Sequence, residues 1–174
     1  MSLANKIETT ANVATIGVAV LLSAVLVKGY LLPMAASRNP AVVTESAIGT
    51  NLKNRLSGVD WGQNGRTLVL AISTQCHFCT ESAPFFRRLG EAAGKKVKMV
   101  AVLPQSVAES EQYLSGAGVH VDQVRQVSLG NIGVRGTPTM LLVNSKGVVT
   151  DVWTGKVEPQ RQDQVLSAIL GAHS

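Results

Sequence analysis

The chain has two cysteines and they stand three apart, in Cys76-His77-Phe78-Cys79. Sulfurs one helical turn apart can close a small disulfide and reopen it, one attacking a partner's sulfur and the other displacing it afterwards. Upstream, Thr67-Leu68-Val69-Leu70-Ala71-Ile72 is a continuous apolar run of the kind a fully buried central strand shows. Ser73-Thr74-Gln75 then leads into the motif, and Thr80 to Ala93 can form a helix with Ala83, Phe86, Leu89 and Ala93 near one face. A strand-to-helix turn places the thiols at a helix N-terminus, where unpaired amides and the positive end of the dipole favour a thiolate. Cys76, nearer that end and nearer solvent, is the expected nucleophile, and Cys79 the expected resolving thiol. An inert structural disulfide is the weaker reading, since so short a bridge clamps nothing distant.

The elements that must position these thiols follow in alternation. Val97 to Leu103 is a second buried strand ended by Pro104; Ser106 is a predicted N-cap with Glu109 as its capping-box partner, opening a helix to about Ser115. Val119 to Val127 alternates as a strand, and Ser128 to Gly133 is a short helical or irregular turn. Thr139–Val143 and Val148–Trp153 form a hairpin through Asn144-Ser145-Lys146-Gly147, and Pro159 opens a last helix with Val165, Leu166, Ile169 and Leu170 on its apolar face. This order implies an α/β sandwich whose sheet mixes parallel and antiparallel strands.

The 174 residues leave room for one domain plus an appendage. Two cysteines exclude a disulfide-stapled scaffold. Thr9 to Val27 runs without a charge and the apolar stretch continues past Lys28 to Leu32. That is long enough for one membrane span and longer than the ~7–15 apolar residues of a cleaved signal. Residues 1–10 are then a short tail, 11–32 a transmembrane anchor in the lipid bilayer, 33–58 a linker carrying Pro33 and Pro40, and 59–174 the folded domain. Lys6 on one flank and Lys28 and Arg38 on the other do not orient the span by charge.

The net charge of +5 resides partly in Arg87-Arg88 and Lys95-Lys96-Lys98, which read as solvated surface. Aromatic residues make up 4% and none are interleaved with these bases, so nucleic-acid binding has little support.

Three features in order carry a resemblance: Cys76-x-x-Cys79 after a buried strand, Pro84 five residues beyond, and Val134-Arg135-Gly136-Thr137-Pro138-Thr139 opening a later strand. Together they resemble the thioredoxin superfamily over roughly Val59 to Gly171. The extra helix and strand at about Ser106 to Val127 and the N-terminal anchor look like its TlpA-like branch of membrane-tethered thiol-disulfide oxidoreductases. The resemblance implies a three-layer α/β/α sandwich and a cis Pro138 facing the dithiol. It also implies Thr137 backbone pairing with substrate, and no cofactor or metal. Expected partners are protein thiols or disulfides of the cell envelope and an envelope redox partner, with the domain extracytoplasmic. The chain departs from the pattern in having Gln75 where a tryptophan is usual and His77-Phe78 where a proline-containing pair is usual. A protonated His77 near the sulfur would stabilise the thiolate and push the protein toward the oxidising end, whereas a ring turned to solvent would do little, and Phe78 is expected to be a contact surface for substrate. Glu81 reads as a solvated helix acid rather than a proton acceptor for Cys79.

Two alternatives stay open. A peroxiredoxin-like peroxidase shares the fold, and Ser73 stands three residues before Cys76, but Val69 occupies the place of that family's proline. A tethered copper chaperone would use Cys76, Cys79 and His77; His120 and His173 lack ligand spacing to the motif.

Overall fold

The computed structural model describes residues 47–171. The expected tail, the span at 11–32 and the first part of the linker lie outside the described residues.

Among the described residues five strands form one sheet in the order β3-β2-β1-β4-β5. In chain order the elements are α1 (Trp61–Asn64), β1 (Thr67–Ala71), α2 (His77–Glu81), α3 (Ala83–Ala93), β2 (Lys98–Leu103), α4 (Val107–Gly116), β3 (Gln123–Gln126), a 3-10 turn (Leu129–Ile132), β4 (Thr139–Val143), β5 (Val149–Thr154) and α5 (Pro159–Leu170). β1, β2 and β3 run parallel, joined through helices, whereas β4 and β5 are antiparallel to their neighbours. The mixed sheet expected from the sequence is therefore present. Every residue of β1 is buried because β1 is the middle strand and both its faces are covered.

The two faces are covered differently. Leu68, Leu70, Ile72, Met99, Leu103 and Met140 meet Phe85, Phe86 and Leu89 of α3, Leu114 of α4, and Val165 and Ile169 of α5. On the opposite face Val69, Ala71, Val100, Val102 and Leu141 meet Ala47, Leu52, Leu56, Trp61, Ile132 and Val134. The three long helices lie on one side and mostly irregular chain, with the short α1 and the 3-10 turn, on the other, so the second helical layer of the expected α/β/α sandwich is reduced to these short pieces. The connection from β3 to β4 is too short for a long helix, and a hairpin joins β4 to β5.

The expected linker boundary at residue 58 moves. Ala47, Leu52 and Leu56 are almost wholly excluded from solvent. The backbone beside them pairs with the outer side of β5: Gly49 N donates to Val149 O (2.9 Å), Val149 N to Thr50 O (3.0 Å) and Leu52 N to Gly147 O (2.7 Å). Residues 47–58 are part of the fold, held by three buried apolar side chains and a short ladder.

The helix expected over Thr80 to Ala93 starts three residues earlier and divides at Ser82. Pro84 has no N–H to give the Thr80 carbonyl, and its ring crowds that oxygen, so the first helix closes there. Ser82 N bonds the carbonyls of Phe78 (3.0 Å) and Cys79 (3.2 Å), while Ser82 Oγ donates to Phe78 O at 2.7 Å. The strand expected over Val119 to Val127 is shorter, Gln123–Gln126, with Asp122 N and Val127 N also bonded to β2 at its two ends, and Val119 instead packs against the helical face.

Candidate active site

The parallel strand β1 ends at the edge of the sheet where the chain must turn. Cys76 N donates to Ser73 O at 3.1 Å, closing that turn, and Cys76 itself caps α2 in an extended conformation. Its sulfur takes the position that a Ser or Asp oxygen occupies at an ordinary N-cap: Cys79 N donates to Cys76 Sγ at 3.1 Å. A negative sulfur there gains from the amide that a neutral thiol uses only weakly. Cys76 Sγ also lies 3.4 Å from the Thr137 carbonyl oxygen, to which its thiol donates.

The segment bearing Thr137 arrives from the other half of the sheet. The Thr137–Pro138 peptide is cis, as the resemblance implied. Gly155 N donates to Pro138 O at 2.7 Å, and Thr139 Oγ1 to Gly136 O at 2.7 Å, which fixes the loop against β5. Pro138 is buried, whereas Thr137 is half-buried with its carbonyl against the first sulfur.

The two thiols differ sharply. Cys76 is half-buried, Cys79 is 1% exposed, and both are free. Burial raises the Cys79 thiol from its ordinary 9.0 to about 12, and the hydrogen bond with Cys76 adds to the effect; a backbone bond with Ser73 and a side-chain bond with Thr137 oppose it. No carboxylate is found among the groups acting on Cys79. Among the described residues the buried polar side chains are Thr67, Ser82, Ser110 and Thr139, none of them acidic.

His77 and Phe78 lie on the rim. Phe78 is 57% exposed, an uncommon degree for so large an apolar side chain, and its ring is 5.8 Å from that of His77. His77 points along α2 to Glu81, with Nε2 to Oε1 2.9 Å, and Lys156 Nζ donates to Glu81 Oε2 at 2.8 Å. The hydrogen bond to Lys156 is the main reason the Glu81 carboxyl lies below the ordinary range, and the Lys156 ammonium is raised in turn. Glu81 is solvated, as its sequence position suggested.

A second set of supports comes from the loop after β2. Gln105 holds the dithiol turn with both ends of its amide: Nε2 donates to Ser73 Oγ (3.0 Å), and Oε1 accepts from Thr74 N (3.4 Å). Ser106 Oγ accepts from Glu109 N as expected of an N-cap, but the Glu109 carboxylate turns to the Thr74 hydroxyl at 2.9 Å rather than completing a capping box. Tyr113 OH meets Thr80 Oγ1 at 3.2 Å, and burial raises the phenol above its ordinary range. None of these was visible in the sequence as a site residue, because each lies some thirty positions from the thiols.

Among the described residues no group of three or more His, Cys, Asp or Glu side chains could hold a metal ion. His120 stands beside β3, away from the dithiol.

No protein-family model matches the sequence, and no curated protein matches it. Solved structures do. A thiol:disulfide interchange protein from Bacteroides sp. superposes with a TM-score of 0.53 at 15% identity, over 72% of this chain and 86% of that one. DsbF of Mycobacterium tuberculosis, in mixed oxidised and reduced forms, gives 0.52 at 19% identity, over 63% and 82%. The fold is thioredoxin-like. A thiol-disulfide isomerase from Corynebacterium glutamicum gives a similar match, 0.52 at 14% identity over 72% and 94% of the two chains. Within this thioredoxin-like fold the Cys76–Cys79 pair occupies the turn after the central strand, opposite the cis-proline loop.

Proposed function

We propose that this chain is a protein thiol-disulfide oxidoreductase in which Cys76 is the nucleophile and Cys79 the resolving thiol. The observation that carries the reading is the asymmetry of the pair: one sulfur caps a helix at the surface, and the other is buried behind it with its proton held on at neutral pH. The Cys76 thiolate attacks one sulfur of a partner's disulfide, the S–S bond breaks, and its electron pair leaves with the partner's other sulfur. Cys79 then gives up its proton and attacks Cys76 Sγ, expelling the partner's remaining thiolate. The partner gains two electrons and the chain ends as a Cys76–Cys79 disulfide; run backwards, the same steps oxidise a partner. Phe78 offers an apolar contact and Thr137 a backbone edge beside the reacting sulfur, so both suit an extended polypeptide partner.

The uncharged run at residues 9–27 supports a single-pass anchor, and a dithiol has most use on the oxidising side of a membrane. The proposed setting is therefore an extracytoplasmic domain tethered to the bilayer, exchanging with thiols or disulfides of the envelope. A Cys79→Ser chain should accumulate mixed disulfides through Cys76 that thiol reductant releases, whereas Cys76→Ser should form none. Equal trapping by both variants, or by neither, is incompatible with these roles.

A further inference from the structure

Both carboxylate oxygens of Glu81 are engaged, one by His77 and one by Lys156. The two cationic side chains come from different parts of the fold: His77 lies between the cysteines, and Lys156 in the connection from β5 to α5. Lys156, whose ammonium Glu158 also attracts, holds the second oxygen of the carboxylate. The imidazole follows the carboxylate, 79% exposed, while the bonds of Cys76 Sγ go to Cys79 N and the Thr137 carbonyl. The basic side chain that follows the nucleophile in the chain is thus tied to an anion one helical turn away.

We propose that Glu81 is a positioning residue for the dithiol couple, acting through His77. By bonding Nε2 and balancing any charge on the ring, it keeps a cation off the Cys76 thiolate. A cation beside that sulfur stabilises the reduced form and makes the disulfide a stronger oxidant. With His77 tethered, the couple is held toward the reducing side. The inference rests on the thiol-disulfide reading above.

The test uses the full-length chain and its E81Q, H77Q and E81Q/H77Q variants, equilibrated with glutathione and glutathione disulfide. Oxidation of the dithiol releases two electrons and two protons, which convert one glutathione disulfide into two glutathione thiols. E81Q should favour the reduced dithiol about threefold, the order expected when one screened elementary charge is freed to approach the sulfur in a water-like medium. That corresponds to a potential about 14 mV less negative by the two-electron relation. In the H77Q background the same change should have less than half this effect. An unchanged potential in E81Q, or an equal shift with and without His77, overturns the inference while leaving the exchange reaction intact. A wild-type chain that never equilibrates with glutathione overturns both.

Discussion

The difference between the two thiols can be measured directly by alkylation. Raising Cys79 from 9.0 to about 12 lowers its thiolate fraction about a thousandfold at neutral pH, since each pH unit is a factor of ten. At pH 7 the fraction falls from about one in a hundred to about one in a hundred thousand. The 1% exposure of Cys79 adds a barrier to reagent access that the titration argument does not include. The reduced full-length chain, pulsed with iodoacetamide at pH 7 and digested for mass spectrometry, should therefore carry the label on Cys76, with Cys79 reacting at least a hundredfold more slowly. The sign can be checked by raising the pH: a thiol whose folded value lies above its ordinary one gains thiolate only as pH approaches 12, so Cys79 labelling should rise about tenfold per unit between pH 7 and 9. In denaturant, burial and the Cys76 contact vanish together and the two rates should converge. The reasoning fails if native Cys79 reacts within tenfold of Cys76, or if denaturation leaves the gap open.

Two further outcomes follow from the supports of the site. Leu52→Ala should lower the stability of the fold by about 3 kcal/mol, the usual loss for a fully buried leucine, read as a fall in the urea midpoint; a change below about 1 kcal/mol would mean that 47–58 is not part of the cooperative unit. Gln105→Ala removes two hydrogen bonds from the dithiol turn and should cost about 1–2 kcal/mol while slowing Cys76 alkylation several-fold. Unaltered labelling kinetics would show that the turn holds its shape without Gln105.

How much of this was legible depended on whether the signal was local. β1, β2 and β4 are buried on both faces but for Lys98 at the start of β2, so each appears as a short apolar run behind one leading polar residue, and its length separates it from a helix. Cys76, Cys79 and the Gly136-Thr137-Pro138 segment could be placed because a strand end, a helix start and a strand start lie beside them in the chain. Residues 47–58 resemble a linker in sequence because Leu52 and Leu56 are separated by Lys53, Asn54 and Arg55; with turns and one isolated bridge instead of a helix or strand, they have no sustained period to detect. The division at Ser82 was hidden for a different reason, since Pro84 is compatible with the first turn of a new helix as well as with an imperfect old one. Gln105, Glu109 and Lys156 reach the site only through tertiary packing, and their sequence separations of 31, 35 and 75 residues from Thr74 and Glu81 leave no local trace.

The ladder between residues 49–52 and the start of β5 also bears on how the molecule behaves in a crowd. An open sheet has two outer strands whose free N–H and C=O groups can recruit a strand from another molecule. At one side β3 is only four residues, Gln-Val-Arg-Gln, too short and polar to be a good template. At the other, β5 begins with buried Val149 and would offer a longer row, were its first residues not already bonded to the preceding chain. Residues 47–52 therefore act as a fitted selvedge on the fabric. A shortened version starting at Val59 would lose more than three core side chains: it would leave a raw border, and self-association would compete with refolding.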